Sequence, residues 1–127
     1  MVYENVALIL GRLIFGVYFV VSGLNHFINS ESISGWISAK DFPLAKFLTY
    51  FTGGQLILGG LSIVTGILPL VGLGALALFL MIVTPVFHDF WHMEGEERQN
   101  HRINFMKNLA LTGAIIIIYG AREAIFI

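Results

Sequence analysis

Two short polar stretches carry the side chains in this sequence that could do chemistry. His88-Asp89-Phe90-Trp91-His92 closes one long apolar run, and Asn104-Phe105-Met106-Lys107-Asn108 opens the next. If both runs cross a bilayer, the two stretches lie at the same depth on the same side. Ionisable groups there are costly, so they mark a site or a specific pairing. On a helix, His88 and His92, four residues apart, point the same way. That is ligand spacing for zinc, copper or a haem edge. A third ligand would have to come from His26 or Asp89. Hydrogen bonding near the headgroups accounts for the histidines without an ion, so neither metal nor haem is assigned. Asp89 and Lys107 are the natural ion pair, since neither charge is cheap to leave alone in lipid. The pair reads either as a clamp between two helices or as a proton relay that also orients a bound head group. A histidine beside it exchanges protons at neutral pH. Quinone chemistry needs this combination: an amphipathic pocket open to lipid, donors for two carbonyl oxygens, and a proton path. His88, Asp89 and Lys107 are therefore the candidate catalytic residues. His26, Gln55, His92, Asn104 and Asn108 are the candidate ligand contacts.

Composition says what must hold these groups. Of 127 residues 57% are hydrophobic and 12% charged, with mean hydropathy +0.83. A soluble domain carries roughly a quarter charged residues, so this is an integral membrane protein, of a length that suits one domain spanning residues 1–127. The net charge of −1 and the lack of a basic run argue against a nucleic-acid partner. With no cysteine, the chain has no disulfide, no Cys-x-x-Cys centre and no thiolate metal site.

Four apolar runs, at about residues 6–27, 44–66, 70–91 and 103–119, each approach the roughly 20 residues a spanning helix needs. Continuous runs and the impossibility of an open sheet edge in lipid exclude strands. Short links favour an antiparallel, all-α integral membrane four-helix bundle. The first run has no cleavage site after it and reads as a retained helix. The 28–43 link should hold a short interfacial turn over residues 32–37, with Trp36 at headgroup level. Each helix shows a stripe of small and polar residues, expected to face the bundle interior: Arg12, Gly16, Phe19, Gly23 and His26; Thr52, Gln55, Gly59, Ser62 and Gly66; Ala77, Met81, Thr84, His88 and Trp91; His101, Asn104, Asn108 and Thr112. Gln55, eleven residues into its helix and so roughly 16 Å deep, would floor a cavity under the histidines. Pro85 leaves the Met81 carbonyl without its helical donor and predicts a kink there. Arg12, at the other end of the first helix, is expected to snorkel or to cap carbonyls. The positive-inside rule turns the side of the longer loops, with Lys40, Lys46, Arg98, Arg102 and Lys107, towards the cytoplasm.

The residues also carry a resemblance. Arg12-Leu13 with Gly16 and Ser22-Gly23, then Gly53-Gly54-Gln55 with Gly59-Gly60 and Gly66, then Phe87-His88-Asp89-Phe90-Trp91, and finally residues 104–111, Asn-Phe-Met-Lys-Asn-Leu-Ala-Leu, resemble the DoxX family over nearly the whole chain. The resemblance implies a small four-helix, multi-pass protein of a bacterial or archaeal inner membrane. Some members of that family are subunits of thiosulfate:quinone oxidoreductase, and others associate with redox-stress proteins. It thus implies a redox-associated component that binds a quinone or small lipophilic ligand, with a partner redox subunit or a homo-oligomer as company. The alternative is a non-catalytic accessory or assembly subunit. The family often has Glu where this chain has Gln55, and losing that carboxyl favours binding over proton transfer.

Overall fold

The computed structural model describes residues 2–126. It is all-α, with helices α1 (Val2–Ile28), α2 (Ser30–Ala39), α3 (Ala45–Thr65), α4 (Pro69–Phe87), α5 (Gly95–Gly120) and α6 (Arg122–Ile125), and a 3₁₀ turn at Phe90–His92. No strand occurs among the described residues. The helical segments Val2–Ile28, Ala45–Thr65, Pro69–His92 and Gly95–Gly120 are long and apolar enough to cross a membrane, so the expected class of all-α membrane protein holds. By internal packing the chain divides into two compact units. One is residues 2–76 with Phe126; the other is Ala77–Ile125.

In the first unit α1 and α3 pack backbone to backbone. A Cβ on Gly23 would lie 2.6 Å from the Gly53 carbonyl oxygen, and one on Gly16 would lie 2.7 Å from that of Gly60. Rising numbers in α1 thus meet falling numbers in α3, which makes the pair antiparallel. Only glycine allows an approach this close. Phe19, Leu56 and Ile63 are buried along the seam. The other side of α3 receives the first turns of α4: a Cβ on Gly59 would collide with Leu76 at 2.8 Å, and the Ser62 hydroxyl reaches the carbonyls of Ile67 (2.6 Å) and Leu68 (2.9 Å) in the connecting turn. That turn starts at Gly66, the C-cap of α3, whose φ of 77° is left-handed backbone that glycine adopts without strain. Pro69 then opens α4, where its missing N–H costs nothing.

Arg12 does what a cation near a helix C-terminus should. Its Nε donates to the Ile63 carbonyl and its Nη2 to that of Val64, each at 3.1 Å, and the guanidinium lies 5.2 Å from the Phe126 ring. The carbonyl-capping role expected for Arg12 is thus realised on α3.

Several boundaries differ from the sequence expectation. The 28–43 link holds the ten-residue helix α2 rather than a short turn. Ile33 and Ile37, one turn apart, are buried where α2 packs against α3, while Trp36 faces out at 65% exposure. The stripe predicted for α3 holds only at Gly59: Thr49, Gly53, Leu56, Gly60 and Ile63 are buried with it, while Thr52, Gln55, Ser62 and Gly66 are half-buried. Close backbone approach, not polarity, selected the inward face. In α4, Met81 is 66% exposed, against expectation, while Leu73, Leu76, Leu80 and Thr84 are buried; Trp91, in the turn after it, is also exposed, at 51%. Helix α5 begins eight residues early, at Gly95 rather than residue 103. Glu96 and Glu97 in its first turn suit the positive end of the helix dipole, so the charged link is itself helical.

Candidate functional site at the α4–α5 end of the second unit

Pro85 sits in the last turn of α4 and cannot donate to Met81. The His88 N–H still closes a turn onto the Thr84 carbonyl at 3.2 Å, but the helix has ended at Phe87. Asp89, at φ −78° and ψ 59°, leads into the 3₁₀ turn. This corrects the expectation of a helix to residue 91 and the spacing argument built on it: His88 and His92 do not share a helix face. His92 is exposed, and its Nε2 accepts the Trp91 indole N–H at 2.8 Å.

His88 turns instead to His101, in the second turn of α5. Their Nδ1 atoms are 3.1 Å apart. The ring centroids are 5.3 Å apart, close to the greatest distance that this separation and the two ring radii allow, so the nitrogens face each other nearly head-on. That is hydrogen-bond geometry. Two lone pairs converging on one ion would bring the rings closer for the same nitrogen spacing. Among the described residues no three His, Cys, Asp or Glu side chains group to hold a metal ion. In the neutral pair one Nδ1 carries the hydrogen and the other accepts it, so one ring has a bare Nε2 and the other an Nε2–H. The two rings together offer one acceptor and one donor.

The groups around the pair belong to the same unit. Asp89 and Lys107 both lie near enough to act electrostatically on the His88 ring. Lys107 is exposed, and its Nζ donates to Asn104 Oδ1 at 3.2 Å; Asn104 Nδ2 in turn donates to the Asn100 carbonyl at 3.0 Å. Asn108 is buried, the only buried amide side chain among the described residues. One turn behind His88, the Thr84 hydroxyl is buried with no hydrogen-bond partner. Aromatic rings flank the site: Phe90 and Trp91 both meet Phe105 edge-on, with centroids 5.4 and 6.2 Å away.

The two other predicted ligand contacts belong to the first unit. His26 donates its Nδ1–H to the Ser22 carbonyl at 2.9 Å, one turn back in α1. Gln55 donates its amide to the Ala75 carbonyl at 2.7 Å, so this amide ties α3 to α4. An ionised carboxylate at this position could not make that bond, because a carbonyl needs a donor opposite it and a carboxylate has none. Sequence reasoning placed His101 on the polar stripe of its helix but left it out of the site. The stripe was the available signal, since His101, Asn104 and Asn108 recur at helical spacing.

No curated protein and no solved structure matches the chain significantly. The DoxX family model matches residues 7–89, more than half of the chain. The match runs from α1 to the turn that carries His88 and Asp89 and stops before α5, so the family resemblance of residues 104–111 lies outside it. On this match the chain belongs to the DoxX family.

Proposed function

We propose that this protein is a redox-associated membrane component that binds a quinone, or a similarly small lipophilic ligand with two ring oxygens, at the His88–His101 end of the second unit. The observation that carries the reading is the head-on Nδ1–Nδ1 bond, which leaves one Nε2 lone pair and one Nε2–H for a ligand or for water. The orphaned Thr84 hydroxyl supports it independently, because a buried hydroxyl without a partner costs about 1–3 kcal/mol and a ligand oxygen would relieve that cost. Phe90, Trp91 and Phe105 supply ring edges against which a planar ligand can lie.

In this reading His88 Nε2 meets one ligand oxygen, and Thr84 and Asn108 serve the other. Lys107 adds positive charge for an oxygen that gains electron density, and Asp89 balances Lys107 and orients His88. A quinone, when bound, would supply the two-electron redox chemistry; the protein positions it and handles its protons. His92, already engaged by Trp91, is a peripheral contact at most. His26 and Gln55 are not needed for the reading. An inner-membrane location and a partner redox subunit that takes electrons from the reduced ligand complete the proposal.

The test is chemical. Solvent extraction of the protein purified in mild detergent, followed by mass spectrometry, should recover a quinone in near-stoichiometric amount from the wild type and at least tenfold less from His88→Phe of equal helix content. Equal recovery from both, or none from either after reconstitution with quinone-containing lipids, contradicts the proposal.

A further inference from the structure

We propose that the His88–His101 pair is a one-proton relay that carries protons between the ligand site and water on the α5 side. The inference rests on the ligand reading above for its proton source and on independent geometry for its path. His88 adjoins Thr84 at the buried end of the site. His101 is half-buried but stands at the edge of an exposed stretch: residues 94–100 before it and Arg102 after it are all exposed. The 3.1 Å bond is the only hydrogen bond that either ring makes among the described residues, so both Nε2 atoms remain for exchange.

The step balances. With His88 as donor in the neutral pair, its Nε2 lone pair takes a proton from a ligand hydroxyl. The His88 Nδ1–H shifts along the bond to His101 Nδ1, and His101 releases its Nε2–H to water. One proton has crossed and no net charge stays on the rings. The bond survives with its roles exchanged, now His101 donating to His88. A second proton cannot follow until the pair opens and the tautomers reset, so protons pass singly. The chemistry that calls for such a device is oxidation of a dihydroxy aromatic ligand, which gives up two electrons to the partner redox subunit and two protons to the protein.

The path can be tested without turnover. In ¹⁵N-histidine-labelled protein, the relay geometry predicts a resolvable ¹⁵N–¹⁵N coupling between His88 Nδ1 and His101 Nδ1, with complementary Nε2 tautomers. No coupling overturns the proposal. The transfer is tested with ubiquinol-1 bound to the full chain and ferricyanide as electron acceptor, with a pH dye following proton release. His101→Asn puts an amide near the position of Nδ1, so His88 keeps a partner, but it has no Nε2 exit. The relay predicts that ubiquinol-1 still binds, with at least tenfold slower oxidation and proton release at saturating ubiquinol-1 and a changed solvent deuterium effect. Wild-type rates in this variant overturn the relay and leave the ligand reading standing. Failure of the wild-type chain to bind ubiquinol-1 overturns both. Should His101→Asn not fold, the coupling measurement on the wild type still decides.

Discussion

Replacing Gly60 with alanine should loosen the α1–α3 seam, and the size of the effect follows from three distances. A Cβ at Gly60 would stand 2.5 Å from the Gly16 carbonyl oxygen, 2.9 Å from the Val20 nitrogen and 2.9 Å from Val20 Cγ2. Ordinary contact begins at 3.4 Å, so the helices must separate by about 1 Å. Two of the three obstructing atoms are backbone, which cannot rotate away. Overpacking of this kind costs about 1–3 kcal/mol. The substitution also gains up to about 1 kcal/mol of helix propensity, which would blur a comparison with wild type. Gly54→Ala removes that ambiguity: it lies in the same helix, and its Cβ meets nothing within 4 Å. Both variants gain the same propensity, so their difference isolates the collision. Thermal unfolding in mild detergent, followed by circular dichroism, should place Gly60→Ala below Gly54→Ala by about 1–3 kcal/mol. Equal stabilities would refute the claim that backbone contact between α1 and α3 holds the first unit together.

Other consequences are smaller or more local. Arg12→Gln should destabilise the protein by about 2 kcal/mol, because two charge-assisted bonds to the end of α3 are lost; Arg12→Lys should recover only part, having no planar fork to reach both carbonyls. Gln55→Leu should cost about 1 kcal/mol in the same unfolding assay, the worth of one amide–carbonyl bond. On acidification, the nitrogen coupling across His88 and His101 should survive the first added proton, since an imidazolium can still donate to a neutral ring. It should vanish when both rings are protonated and each Nδ1 is a donor.

The fold class was legible because lipid leaves the backbone few choices: apolar runs of spanning length with no internal water must be helices. The Arg12 cap was legible for a related reason, since a cation near a helix end has few other uses. What was not legible turned on local geometry. Pro85 predicted a disturbance, but not that α4 would stop two residues later and detach His92 from His88. The charged link before residue 103 looked like a loop because its polarity broke the apolar run, although Glu96 and Glu97 are well placed to start a helix. In α3, polarity pointed to Gln55 and Ser62 as the inward face, whereas the close approach of α1 buried Gly53 and Gly60. The His88–His101 bond joins residues thirteen apart across a turn, and no helical or strand period encodes such a pairing.

The central claim, a ligand site built around His88, is tested most directly by titration. Trp36 and Trp91 are the only tryptophans, so Trp36→Phe leaves Trp91, beside Phe105 at the edge of the site, as the sole reporter. In nanodiscs, ubiquinone-1 should quench that fluorescence saturably, with the affinity falling at least tenfold when His88→Phe is added. Linear, non-saturable quenching, or a saturable curve that His88→Phe leaves unchanged, would contradict the account.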